Sequence, residues 1–495
     1  MTDCESSPPI VMARFAPAPQ QSLPRQYAPG GFHPESVVQR PGAAPWGPAF
    51  GPPPGAGSAF GPPAAARDGA RGRLAIAIVV VVALALGLVG IGTARYARSS
   101  AVAVGSTWIS LRGAETTSAI QGILDRRAAA VHAHDKTAFM ADVDPTDATF
   151  ARRQQVLYDS LVQLSFGTLS YQIEPSVTYP RDVSAGLVAR FHSAVYAPGV
   201  TIHYTITGVD SRVVATPWVP VFGYAGGRWL LVDEAADKNL PYGVNGQPWD
   251  AGAIAVVKST RVVGVLSADD SKRATDLLKL AEQGLDKVYA VRSTGWDGKV
   301  FVTAVQDRRI FDTYFANAPD RIAQVAAIAV PYYDRVSDWH DGGVFATTRV
   351  IFNPQQLSAQ PEELAHDLAH EFTHAAMGPV TVTQTPRWLV EGFAEYVAYK
   401  GENVSASLLR RMLRGQAVPT SLPTDSTFYS DSAHYTTSWL ACRMIAERFG
   451  EARLIALYGS FQQGAEQDAN IAAVLGISSA ALTAQWHDYI TKKLA

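Results

Sequence analysis

The chain reads as an α+β protein that carries a tail, one membrane-spanning helix and two folded regions in tandem. Three observations predict this. Residues 1–73 hold 15 of the 31 prolines, and residues 74–94 carry no charge; the rest passes from helical periodicity to β-rich runs and then to helices bearing histidine and glutamate. At 495 residues and 47% hydrophobic composition, there is enough apolar surface for two or three sizeable cores. The formal net charge of −2 leaves no electrostatic footprint for nucleic acid, so no such partner is expected. The two cysteines, Cys4 and Cys442, suggest no disulfide framework, and Cys442 sits in an apolar helical pattern as core.

Residues 1–73 form a Pro/Gly-rich segment in which Ala49-Phe50-Gly51-Pro52-Pro53 is echoed by Ala59-Phe60-Gly61-Pro62-Pro63. Such a composition does not bury enough apolar surface to offset its ordering entropy, so this tail is expected to be disordered. A partner that reads proline-rich strands and a plain solvated tail are both open.

The uncharged run Leu74–Ala94 is 21 residues long. A bilayer core of about 30 Å takes about 20 helical residues, so the run is long enough to span. Some seventy residues precede it, unlike a cleavable signal peptide, and it reads as a signal anchor. Arg67, Arg71 and Arg73 lie before it and Arg95 and Arg98 after it. The amino-side excess places the N-terminus in the cytoplasm and the rest outside the cell.

A first folded region covers residues 105–240. Ile120, Ile123, Leu124, Ala128 and Val131 mark one helical stretch, and Arg152, Val156, Leu157, Leu161 and Leu164 a second. β-rich runs follow at 169–173, 187–191, 201–206, 218–222 and 228–232. Helices first and then a curved antiparallel sheet resembles the cone-shaped nuclear transport factor 2-like fold, which implies a ligand-binding, catalytic, spacer or dimerisation unit. His132, His134, His192 and His203 show no tight ligand spacing, which favours a non-catalytic role.

After a Gly-, Pro- and Asn-rich linker at 237–248, the second region covers residues 250–495. Strands are expected at 254–257, 262–266 and 300–305, a helix from Ala274 to Ala290, and another strand within 342–354. Pro361-Glu362-Glu363 opens a helix, with proline in the first turn and acids at the positive dipole end. Leu364, Leu368, Phe372 and Ala375 give that helix a buried stripe.

On this helix lies His370-Glu371-Phe372-Thr373-His374, an HExxH motif. Positions i and i+4 lie one above the other, so both imidazoles can aim at one metal ion. Glu371 sits beside that point, where a carboxylate can take a proton from a zinc-activated water and hand it to a leaving amine. An overlapping HDxxH begins at His366. Its shorter Asp367 reaches less well, and a fourth protein ligand would close the position that a catalytic zinc keeps open, so His366 is expected beside the ligand set. Thr385-Pro386 opens a second helix that carries Trp388, Leu389, Glu391, Gly392 and Glu395.

HExxH followed by Trp388-Leu389-x-Glu391-Gly392 resembles the gluzincin metallopeptidases, the clan of thermolysin and the membrane aminopeptidases. The resemblance implies a two-lobed domain, β-rich above and helical below. It also implies one zinc ion per chain, bound by His370, His374 and Glu391, with Glu371 as general base and Glu395 as the carboxylate supporting a ligating histidine. Glu395 as ligand with Glu391 in support stays open. The strand before the zinc helix is expected either as the sheet edge that pairs with an extended peptide or as a core strand. Tyr435 and then His434 are the candidates to support an oxyanion. Sixteen residues separate His374 from Glu391, slightly fewer than in the aminopeptidases, and their amine-recognising segment has no counterpart, so N-terminal trimming is not implied. The expectation is a membrane-anchored extracellular zinc peptidase acting on peptides or proteins. A catalytically silent scaffold serving as a binding or sensor protein is the alternative.

Overall fold

The computed structural model describes residues 113–495, apart from 179–182, 193, 235–245, 316–324, 337–342 and 355–360. The proline-rich tail, the expected anchor at 74–94 and most of the linker lie outside the described residues. No described helix is long and apolar enough to cross a membrane.

The first region opens with the two expected helices. α1 (Ala114–His132) buries Ile120, Ile123, Leu124, Ala128 and Val131. Asp135 caps the short α2 (Lys136–Met140), and Asp147 caps α3 (Ala148–Leu161) by accepting from the Phe150 amide. There follow β1 (Phe166–Thr178), α4 (Ala185–Arg190), β2 (Val195–Tyr196), β3 (Pro198–Ile206), β4 (Val214–Trp218), β5 (Pro220–Ala225) and β6 (Arg228–Glu234). The run at 187–191, read from sequence as a strand, is mostly the helix α4. Ser184 caps it by accepting from the Leu187 amide, and that local bond outweighs the weak β pattern of Leu187-Val188-Ala189-Arg190. The strands divide into two three-stranded antiparallel sheets, β1-β3-β4 and β2-β5-β6, in place of one curved sheet.

A turn at Pro248–Ala251 buries Trp249 and leads into the second region. Here β7 (Ile254–Lys258), β8 (Val262–Ser267), α5 (Ala274–Tyr289), β9 (Val300–Ala304), α6 (Arg308–Asp312), β10 (Ala327–Tyr333) and β11 (Phe345–Phe352) follow in order. Their five strands form one mixed sheet, β10-β11-β9-β8-β7. β11, the strand before the HExxH helix, is therefore internal. The edge on that side is β10, antiparallel to β11 and containing Pro331, which has no N–H to give to a further neighbour.

Because strand side chains alternate, the register sorts the two faces. Val330, Arg349, Phe301 and Val263 lie side by side on one, and Ala329, Val350, Val302 and Gly264 on the other. At Gly264 an added Cβ would meet Leu277 of α5 at 3.2 Å, so the second face carries the helix. The first face receives the upstream region. There the Arg349 guanidinium forms a two-pronged ion pair with Asp210, both bonds 2.7 Å, with the side chains 4% and 0% exposed. Tyr204, Phe166 and Trp249 pack edge to face beside it.

The remainder is helical, as expected: α7 (Pro361–Met377), α8 (Arg387–Ala398), α9 (Ala406–Met412), α10 (Ala433–Phe449), α11 (Glu451–Ser460), α12 (Gln467–Leu475) and α13 (Ser479–Leu494). α7 carries HExxH with Leu364, Leu368, Phe372 and Ala375 buried. It packs closely on α5 at Gly284, where a Cβ would come within 3.1 Å of the Ala369 nitrogen.

The ion pair across the sheet generates a stability prediction. Asp210→Ala leaves the Arg349 charge buried without a partner, and losing one member of such a pair lowers stability by about 3–5 kcal/mol. Urea unfolding is expected to show a correspondingly lower midpoint; an unchanged midpoint contradicts a firm seat for the upstream region.

Candidate metal centre

Two helices build the site. On α7, His370 and His374 are one turn apart and aim their Nε2 atoms at the same point, 3.0 Å from each other. On α8, Glu391 presents Oε2 at 3.3 Å from His370 Nε2 and 3.5 Å from His374 Nε2. α8 is held at this distance by contacts at its first residue and at its middle. Its first amide, at Arg387, donates to Asp425 across a 2.8 Å bond. Gly392 meets α10 so closely that a Cβ would lie 2.5 Å from the Ser438 carbonyl oxygen, an approach that only glycine allows.

These distances allow a test of the donor set. Zinc bonds to imidazole nitrogen and carboxylate oxygen are about 2.0–2.2 Å, and tetrahedral bonds of that length put neighbouring donors about 3.3 Å apart. The three separations bracket that value. The described residues hold one His/Cys/Asp/Glu group of this kind, with all three ligand atoms within 4.8 Å of one another and all three residues buried. Two nitrogens and one carboxylate, with a fourth position left over, suit zinc.

Around this triangle the other expected residues take distinct places. Glu395 does not face the ligand point. Its Oε1 is 3.2 Å from Nδ1 of His370, the nitrogen pointing away, and its Oε2 is 3.6 Å from His366 Nε2. Glu391 is thus the carboxylate in ligand position and Glu395 the one behind the ring. His366, whose ring packs at a tilt against Tyr399 with 4.3 Å between centroids, is outside the triangle. Glu371 is fully buried, and neither oxygen has a hydrogen-bond partner of good geometry. The Ala329 amide on β10 is directed towards it.

Charge follows from this crowding. Burial, against the pull of His370, pushes Glu371 up to about 8. Burial likewise disfavours charge on Glu391 and Glu395. His374 and His370 outweigh it for Glu391, and His366 and His370 for Glu395, so both are held down at about 2. The same carboxylates outweigh burial at His370 and raise it to about 10, while His374 is lowered by burial. The pocket stabilises added positive charge, and a metal ion competes with a proton for that place.

Tyr435 is fully buried on α10, its ring centroid 6.4 Å from that of His370. His434 is tied by Nδ1 to the Phe428 carbonyl at 2.7 Å. One contact was not legible in the sequence. The Tyr429 hydroxyl donates to Glu391 Oε1 at 3.1 Å, from a short turn between α9 and α10. Tyr429 has no fixed spacing from either motif, so no pattern marks it.

Comparison with known proteins adds a family signal. A sequence model of the Peptidase MA superfamily matches residues 303–492, which include α7 and α8 and so the whole ligand triangle. This supports a gluzincin-type peptidase domain over those residues. No curated protein matches. Among solved structures, the chain is similar to a two-domain M1 zinc metallopeptidase, crystallised as a mutant bound to L-arginine, at 13% identity and a TM-score of 0.29. The alignment covers 60% of this chain and 61% of that one, so the chain spans less than two thirds of the neighbour's length.

If Glu395 orients the His370 ring, Glu395→Ala keeps all three ligands yet lowers zinc affinity about 10–100-fold. Competition with a coloured chelator measures this, and equal affinity would remove Glu395 from any supporting role.

Proposed function

We propose that the chain is a membrane-anchored zinc peptidase whose catalytic region acts outside the cell. The observation that carries the reading is the meeting of His370, His374 and Glu391, with ligand atoms within 4.8 Å, beside the buried Glu371 carboxylate. When bound, zinc lowers the pKa of a coordinated water to about 7 and polarises a carbonyl.

The chain's own residues divide the remaining work. His370, His374 and Glu391 hold the ion and leave one position open. Glu371 takes the proton of the attacking water and returns it to the leaving amine. Burial raises its proton affinity above that of an ordinary carboxylate, which helps it keep the proton it has taken until the amine leaves. Glu395 fixes the His370 ring. Tyr435 is first in line to support the oxyanion and His434 second.

Substrate alignment is assigned to β10. It ends the sheet, its outer edge pairs with no described strand, and its Ala329 amide points to Glu371. An extended peptide laid along that edge would bring a backbone carbonyl towards the base. The uncharged run at 74–94, with arginines denser on its amino side, supports the anchor and the outward orientation.

The test is peptide-library hydrolysis by the wild type and Glu371→Gln, with membrane fractionation of the same cells. Expected are zinc in both proteins, hydrolysis in the wild type alone, and activity that sediments with membranes unless the chain is started at residue 105. Zinc without hydrolysis in the wild type would leave the silent scaffold as the better description.

A further inference from the structure

Glu391 has two oxygens with different surroundings. Oε2 faces both histidines, at 3.3 Å from His370 Nε2 and 3.5 Å from His374 Nε2. Oε1 accepts a 3.1 Å hydrogen bond from the Tyr429 hydroxyl. Glu391 is fully buried, so water does not compete for that oxygen.

Tyr429 is itself seated by the helix that carries the ligand. The Arg387 guanidinium, at the first position of α8, lies 5.0 Å from the centre of the Tyr429 ring. On another side, Phe428 meets the ring edge-on at 5.2 Å, and the Phe428 carbonyl is held by His434 Nδ1. One side chain from α8 thus clamps the tyrosine, and the tyrosine in turn holds a carboxylate one turn further along α8.

The coordination chemistry gives this contact a consequence. A carboxylate with both oxygens free can bind a metal ion through the pair, raising the coordination number. A donor held on one oxygen leaves the other to ligate alone and preserves the open fourth position. We propose that Tyr429 is a positioning residue for the metal: it keeps Glu391 bound through Oε2 only and aims that oxygen at the two histidines. The proposal rests on the zinc reading above, and it makes Tyr429 a support of the ligand, with its hydroxyl committed to Glu391.

The test uses the full chain, stripped of metal, as wild type, Tyr429→Phe and Arg387→Gln. Cobalt(II) replaces zinc as a spectroscopic probe, zinc affinity is read by chelator competition, and melting of the metal-free proteins is followed in parallel. For Tyr429→Phe the expected results are zinc affinity about 10–100-fold lower, weaker visible cobalt bands as the site gains a donor, and unchanged melting of the metal-free protein. Arg387→Gln, which keeps the phenol and loosens its seat, gives the same changes to a smaller degree. If Tyr429→Phe does not fold, Arg387→Gln decides: a shifted cobalt spectrum supports the proposal and an unshifted one overturns it. Equal affinity and an identical spectrum in Tyr429→Phe overturn it, as does an affinity loss matched by lower melting of the metal-free protein. A wild type that takes up neither metal defeats the zinc reading instead.

Discussion

Three buried carboxylates and two buried imidazoles converge between α7 and α8, and the packing of the neighbouring helices holds them there. Glu371, Glu391 and Glu395 are each 0% exposed. Moving a charged carboxylate out of water is disfavoured by several kcal/mol even after relaxation, so Glu391 and Glu395, both held in the charged form, need a positive partner. Without metal the partner is a proton on His370, raised to about 10 by its two acidic neighbours against the effect of burial. A divalent ion offers more charge at the place where three donors already converge. The close contacts at Gly284 and Gly392 matter for the same reason: they let α5 approach α7 and α10 approach α8 closely enough to hold the donors together.

The mixed sheet divides the labour around this site. One face supports α5, while the other receives Asp210, Tyr204 and Trp249 from the upstream part of the chain. Arg349 joins them from β11, next to the edge strand whose Ala329 amide is directed at Glu371. The upstream region therefore backs the same sheet that flanks the candidate base. Its residues Ile120, Phe139, Tyr204 and Trp229 belong to one continuous core with residues as distant as Ile490, while Val183, Phe191, Val195 and Val221 form a smaller cluster of their own.

Much of this was legible in the sequence where the signal is local. The buried stripe of Leu364, Leu368 and Phe372 marked α7, and i, i+4 spacing was enough to align His370 with His374. The helix carrying Glu391 and Glu395 could be expected, but which carboxylate meets the nitrogens depends on how α8 rolls against α7, and sequence left both open. The geometry separates them, because Glu391 meets the Nε2 atoms while Glu395 meets Nδ1. A single polar side chain produced one misreading, and the topology decided between two readings that sequence left open. The Ser184 cap made a helix of the 187–191 run, and β11 became internal because β10 lies outside it. Pro331 was an available sign of an edge strand. Tyr429, 38 residues beyond Glu391, is brought in by a loop that periodicity does not predict.

The central claim is that the buried carboxylates and histidines form a metal-binding set. Calorimetric titration of the metal-free protein with zinc addresses it most directly. The account predicts saturation at one zinc per chain, protons released as the ion displaces them from His370, and a higher melting temperature for the loaded protein. Heat that never saturates, or uptake that persists when His370 and His374 are both replaced by alanine, would contradict it.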